Sequence, residues 1–157
     1  MDLKELYQDI ILEHGKSPRN FGKCEMYTHQ AKGHNPLCGD QVQVYLKLNN
    51  KKKVEDLSFE GSGCAISIAS TSIMTELVKG KSIETAKKIV TDFLNMIKNT
   101  SEIKSNDLDE DQKITIMSLS GVKQYPMRVK CATLAWHTFS SAVEGKKEEV
   151  NTETIEK

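Results

Sequence analysis

Three of the four cysteines stand in turn-forming or helix-starting contexts that lie far apart along the chain. Cys38 follows Asn-Pro-Leu and precedes Gly-Asp, Cys64 follows Gly-Ser-Gly, and Cys131 follows Arg-Val-Lys. The first two are separated by 25 residues and the last two by 66, and no compact zinc-finger spacing has that form. A common site would therefore require a tertiary fold that brings three distant segments to one point.

The length and the charge balance limit the class of protein. The chain has 157 residues, which is enough for one domain with a proper core. Its 22 basic and 22 acidic residues cancel, so we expect neither a nucleic-acid partner nor a polybasic membrane surface. We predict a single domain over residues 1–144 and a charged, flexible tail over residues 145–157.

The N-terminal segment predicts the compartment. It is charged and lacks the apolar core of a signal peptide, and no apolar run reaches membrane-spanning length. We therefore expect a cytoplasmic protein, in which cysteines stay reduced. Four cysteines in a reduced compartment favour metal binding or catalysis over disulfides.

The periodicity of apolar residues predicts strands first and helices afterwards. Apolar and polar residues alternate over 42–48, and Val54, Leu57 and Phe59 fit the return strand of an antiparallel hairpin. Helical spacing favours a first helix ending near Gly15, and further helices over 66–78, after Ser82, and over 127–143. Residues 99–112 read as a polar surface loop with an acidic helical fragment. This order is typical of an α+β domain.

The segment around Cys38 can fold a thiol and a carboxylate toward one point. Pro36 restricts one backbone angle and Gly39 permits a turn that a side chain would block, so Cys38 and Asp40 could converge at the end of a strand. The alternative is simple turn chemistry, in which Asp40 caps its own loop.

The other two cysteines lie near predicted helix starts. Exposed backbone amides would stabilise a thiolate at Cys64, although a small buried cysteine in a glycine turn is the alternative. Near Cys131, Arg128 and Lys130 could offset the surplus negative charge of several thiolates, or could be ordinary solvated helix charges. Cys24 has no such context, and we interpret it as a non-ligand cysteine.

Taken together, the motifs resemble the IscU/NifU N-terminal family of iron–sulfur assembly proteins. The matching segments read Asn-Pro-x-Cys-Gly-Asp, then Gly-x-Gly-Cys-Ala-Ile-Ser, then Lys-Cys-Ala-x-Leu-Ala-Trp, in that order. Lys130 stands where IscU-type scaffolds have a histidine, and residues 125–130 depart from their chaperone-recognised Leu-Pro-Pro-Val-Lys stretch. These departures are similar to the SufU branch of zinc-dependent sulfurtransferases.

The resemblance implies a fold, a metal and a partner. The fold would be α+β, with a small antiparallel sheet and helices packed on one face. The family's zinc ligands match Cys38, Asp40, Cys64 and Cys131. The family's sulfur acceptor matches Cys38, Arg128 matches a position near the site, and we count both as catalytic. The implied donor is a PLP-dependent cysteine desulfurase of the SufS type, with downstream cluster-assembly machinery as the recipient.

Two other functions stay open at this point. A scaffold would assemble a [2Fe–2S] cluster on the same ligands, with iron or the cluster held transiently. Lys130 weighs against it, because a protonated lysine cannot replace a histidine ligand. A structural zinc domain without transfer chemistry is the third possibility, since four protein ligands make a closed site.

Overall fold

The structure is a computed structural model that describes residues 2–99, 103 and 106–154. The helices are α1 (Leu3–Lys16), α2 (Ala65–Val78), α3 (Ile83–Lys98), α4 (Glu110–Met117) and α5 (Pro126–Glu144), with a 3₁₀ helix over Ser118–Gln124. The strands are β1 (His29–Asn35), β2 (Asp40–Leu48), β3 (Val54–Ser62) and β4 (Val150–Asn151). Within the described ranges, no helix is long and apolar enough to cross a membrane.

The four strands form one sheet in the order β3-β2-β1-β4. Adjacent strands among β1, β2 and β3 pair antiparallel, as predicted. β4 adds to β1 in parallel, so the complete sheet is mixed. The alternation over 42–48 did not reveal β1, because that strand is mostly polar and buries only small or polar residues at alternate positions.

The core lies between the sheet and the helices. The inward side chains of β2 are fully or almost fully buried at Val42, Val44 and Leu46, and they belong to one apolar cluster with residues of α2, α3 and α5. Phe93 of α3 stacks on Trp136 of α5 with ring centroids 4.0 Å apart. This packing fixes α5 against the sheet, and α5 carries the third cysteine.

The predicted helices form with small differences at their ends. Ser82 caps α3 by accepting a hydrogen bond from the Thr85 amide, as expected. The acidic fragment is a full helix, α4, which extends beyond the predicted loop and begins with a capping box between Asp109 and Gln112. Of the predicted loop over 99–112, residues 100–102, 104 and 105 lie outside the described residues.

The predicted flexible tail from residue 145 differs from what the structure shows. Val150–Asn151 pairs with β1, and Thr152 is buried. The prediction of a frayed tail is therefore wrong for residues 150–154, while the division into a domain of residues 1–144 and a tail stays a prediction. The charge-rich composition of the tail gave no sign of this strand. A strand added at a sheet edge is held by backbone hydrogen bonds, which form with almost any side chain.

Candidate metal centre

Cys38 lies in the loop that joins β1 to β2. Asn35 and Asp40 are paired across the two strands, and residues 36–39 form the loop between them. The Cys38 amide donates to the Asn35 carbonyl at 3.3 Å, and Gly39 has φ +69°, which favours glycine. Cys38 is half-buried between exposed Leu37 and exposed Gly39. Cys38 is therefore a partly exposed residue at the tip of a hairpin whose base is paired at Asn35 and Asp40.

Cys64 is the N-cap of α2, directly after β3. Gly63 has φ +144°, and a Cβ there would run into the backbone and side chain of Asp40. The Cys64 amide donates to Asp40 Oδ1 at 2.8 Å. The glycine therefore lets the start of α2 approach the carboxylate closely enough for the helix amide to bind it.

Cys131 lies in the second turn of α5 and is fully buried. Its Sγ is 3.5 Å from Cys38 Sγ and 3.5 Å from the Met127 carbonyl oxygen. Burial raises the pKa of the Cys131 thiol well above its ordinary range, and the Asp40 carboxylate and the Cys38 sulfur beside it raise that pKa further. A thiolate at this position requires a compensating cation.

Asp40 is a fully buried carboxylate at the first residue of β2. One oxygen accepts from the Cys64 amide, and the other accepts from Asn35 Nδ2 at 3.1 Å. These hydrogen bonds satisfy a buried charge that would otherwise be costly. Asp40 thereby links the hairpin base to the start of α2.

The structure brings three of the four predicted ligands to one point. The donor atoms of Cys38, Asp40 and Cys131 all lie within 4.8 Å of one another. Cys64 falls outside that group, although its Sγ is 4.0 Å from Asp40 Oδ2. Sulfur donors with a single carboxylate are the chemistry that zinc accepts in proteins, and the residues present fit that ion. The role of Cys64 as fourth ligand stays a prediction.

The two cationic residues near Cys131 have different surroundings. Arg128 is exposed in the first turn of α5, and its side chain makes no hydrogen bond or ion pair with any residue that the structure describes. The Lys130 ammonium instead forms an ion pair with Glu153 at 2.7 Å. The C-terminal segment thus supplies the Lys130 ammonium with a carboxylate, and the offset of thiolate charge by Lys130 stays a prediction. The catalytic role of Arg128 stays a prediction.

Cys24 contacts a different part of the chain. Its thiol lies 3.3 Å from Asp56 Oδ2, an acceptor on β3. Burial and that hydrogen bond raise the pKa of Cys24. A thiol held protonated against a carboxylate agrees with its interpretation as a non-ligand.

Two residues of the site were not predicted from the sequence. Asn35 is fully buried and donates to both Asp40 and Cys131, and Thr152 donates to Asn35. The Asn-Pro dipeptide signalled a turn but not a ligand-holding carboxamide. Nothing in the local sequence distinguishes Thr152 from other polar residues of the tail.

Comparisons with known proteins show the family of this chain. A family model described as the NifU-like N terminal domain matches residues 6–132. The chain is 40% identical over 142 residues to the zinc-dependent sulfurtransferase SufU of Bacillus subtilis, covering 90% of this chain and 92% of that protein. It is 35% identical over 141 residues to the iron–sulfur cluster assembly scaffold protein IscU of Streptococcus pyogenes, covering 90% and 84%.

A solved structure shares the fold. It is titled as an iron–sulfur cluster assembly scaffold protein for the SUF system from Fervidobacterium islandicum AW-1. The TM-score is 0.77 with 36% sequence identity, covering 88% of this chain and 97% of that chain. The relatives therefore include a protein named as a sulfurtransferase and proteins named as scaffolds.

Proposed function

We propose that this chain, which belongs to the NifU-like N-terminal domain family, is a zinc-dependent sulfur acceptor. Its relatives include the SufU and IscU proteins described above. It would take persulfide sulfur from a PLP-dependent cysteine desulfurase onto Cys38 and pass it to the cluster-assembly machinery. The observation that carries the proposal is the contrast between Cys38, which lies in an exposed loop, and its buried neighbours Asp40 and Cys131.

The residues of the centre would have different roles. The zinc would be held by Cys38, Asp40, Cys64 and Cys131. When bound, the ion keeps thiol ligands deprotonated without adding redox chemistry. Asp40 and Cys131 belong to regular structure and keep their places, while the Cys38 loop can move at lower cost because its neighbours are exposed.

The transfer step is a thiolate exchange at sulfur. The Cys38 thiolate attacks the outer sulfur of the donor enzyme's cysteine persulfide, and a new S–S bond forms on Cys38. The S–S bond of the donor breaks, and its electron pair leaves with the donor's cysteine thiolate. The exchange needs no external oxidant or reductant, since one persulfide replaces another.

The surface around the Cys38 loop supports a protein partner. Leu37 and Met127 are each more than half exposed, and both line one cavity of about 570 Å³ between the loop, α3 and α5. Large apolar side chains clustered at a functional loop are typical of interaction sites. A docked desulfurase would cover these side chains and reach the Cys38 thiol.

Sulfur transfer of this kind needs reduced thiols, and we propose the cytoplasm as its location.

Mass spectrometry after incubation with desulfurase and cysteine tests the assignment. We expect one added sulfur on Cys38 in the wild-type protein and none in Cys38→Ser, which should keep its fold. Cys24→Ser is the matched control and should still accept sulfur on Cys38. Sulfur found on Cys24, Cys64 or Cys131 of the native protein would overturn the choice of acceptor.

The scaffold function is the second candidate, and the names of the IscU relatives favour it. It would hold a [2Fe–2S] cluster, or its iron, as cargo on the same ligands. The residue beside Cys131 argues against it, because the Lys130 ammonium is ion-paired with Glu153 and a protonated lysine has no lone pair for a metal.

A purely structural zinc domain would be favoured by full activity of Cys38→Ser.

A further inference from the structure

We infer that Thr152, in the C-terminal segment, is a positioning residue of the metal centre and acts through Asn35. The inference rests on the proposed function, since it concerns the same ligands. It assigns a role in the site to a segment outside the residues of the family motifs. Among the described residues, the Thr152 hydroxyl forms a hydrogen bond with Asn35 and with none of the predicted ligands, so we expect its effect to pass through the Asn35 carboxamide.

The hydrogen bonds form a continuous path. The Thr152 hydroxyl donates to Asn35 Oδ1 at 2.9 Å. Asn35 Nδ2 then lies 3.1 Å from Asp40 Oδ2 and 3.5 Å from Cys131 Sγ. Both ends of one carboxamide are thus used, one toward the C-terminal segment and one toward two ligands.

Burial makes these contacts consequential. Asn35 is completely buried and Thr152 is 6% exposed, so water has little access to replace a lost partner. If the carboxamide turned over, its oxygen would face the carboxylate of Asp40 and the sulfur of Cys131. The hydrogen bond from the Thr152 hydroxyl to Asn35 Oδ1 opposes that rotation and keeps the Asn35 amide hydrogens directed at Asp40 and Cys131.

Two further interactions hold the C-terminal segment in place, one at the Thr152 backbone and one at the next residue. The Thr152 amide donates to the His34 carbonyl at 3.2 Å, which continues the pairing of β4 with β1. One residue later, Glu153 forms the ion pair with Lys130, the neighbour of Cys131 on α5. The backbone of Thr152 is therefore placed independently of its hydroxyl, and the hydroxyl can be removed without releasing the strand.

The path continues to the start of α2. Asp40 receives the Asn35 hydrogen bond on one oxygen and the Cys64 amide on the other. If Thr152 holds Asn35, the loss of its hydroxyl should loosen Asp40 and weaken the protection of the Cys64 amide. This consequence can be measured in the metal-free protein.

The test compares Thr152→Val with Thr152→Ser in the full chain. Valine has nearly the shape of threonine but cannot donate, whereas serine keeps the hydroxyl. We expect Thr152→Val to bind zinc about tenfold more weakly in chelator competition, the lower end of the effect of outer partners of metal ligands. In the metal-free protein, hydrogen exchange of the Cys64 amide should be severalfold faster. Thr152→Ser should stay near wild type in both measurements.

The outcomes separate the inference from the proposed function. Wild-type behaviour of Thr152→Val in either measurement overturns the inference while the zinc function stands. Equal losses in Thr152→Ser also overturn it, because the hydroxyl would then not be responsible. If the native protein binds no zinc, the proposed function fails, and the Cys64 exchange rates alone decide whether Thr152 positions Asp40.

Discussion

The sulfur atoms of Cys38 and Cys131 lie 3.5 Å apart, although the two residues are 93 positions apart along the chain. One belongs to an exposed hairpin loop and the other to the buried second turn of α5. Cys38 is partly exposed, while Cys131 is shielded by the core. Under the proposed function, the partly exposed Cys38 would accept sulfur while the buried Cys131 stays in place as a ligand.

The purified protein should be colourless and contain about one zinc per chain, because its sulfur-rich donor set suits that ion. Metal analysis together with the visible absorption spectrum checks this. A brown protein with stoichiometric iron and sulfide would favour the scaffold function over the sulfur acceptor.

Removal of zinc should lower the melting temperature, since binding to the native state alone adds stability. At zinc concentrations of about a thousand times Kd the gain is about 4 kcal/mol, or about 10 °C for a chain of this size. Cys131→Ala should lose both the metal and this gain, as measured by metal analysis and thermal unfolding.

Cys24→Ser is the matched control for Cys131→Ala. It alters another buried thiol, but one whose hydrogen bond goes to Asp56 rather than to the centre, so the gain from zinc should persist. A melting temperature that does not respond to zinc in the native protein would contradict the convergence of these segments on one ion.

Asp40→Ala should destabilise even the metal-free protein. It removes the acceptor for the Cys64 amide and one acceptor for the buried Asn35 Nδ2. A buried donor that loses its partner costs about 1–3 kcal/mol, and the part-buried Cys64 amide should cost less than that. Urea unfolding of the metal-free form measures this loss. Asp40→Asn retains one carbonyl acceptor and should lose less, while equal stability of Asp40→Ala and the native protein would show that the carboxylate serves the metal only.

Acid should destabilise the fold partly through His14. Burial lowers the pKa of His14, with a further contribution from the charge of Arg19, and its Nδ1 lies 2.7 Å from Ser72 Oγ. The unfolded chain therefore takes up the proton first as the pH falls below about 6.5, and stability declines from there until the folded-state pKa is passed.

His14→Gln can keep a hydrogen bond to Ser72 but cannot titrate. Its unfolding free energy should fall less steeply than that of the native protein between about pH 7 and pH 5, as measured by urea unfolding at each pH. The difference from the native protein at pH 8 serves as the reference. Parallel curves for the two proteins over this range would exclude the histidine as the source of the acid sensitivity.

Local signals in the chain were sufficient for most elements and for the identity of the candidate ligands. Alternation predicted β2 and its return strand, because residues two apart share a face of a strand. Ser82 marked the start of α3 through the capping chemistry of its hydroxyl. Glycine stands next to both Cys38 and Cys64, and it allows backbone angles that other residues rarely adopt. The turns at these two cysteines could therefore be predicted from the sequence.

By itself the sequence determined an α+β order of elements, the family, and a set of thiols and one carboxylate suited to a metal. Only the tertiary structure decided that Asn35 lies between Asp40 and Cys131, that Lys130 pairs with Glu153, and that Thr152 reaches the site. Periodicity and capping report interactions within a few residues, whereas these contacts join segments up to 117 positions apart. Such contacts depend on how the helices and the C-terminal strand pack against the sheet, and the parallel pairing of β4 uses backbone groups that leave no pattern in the side chains.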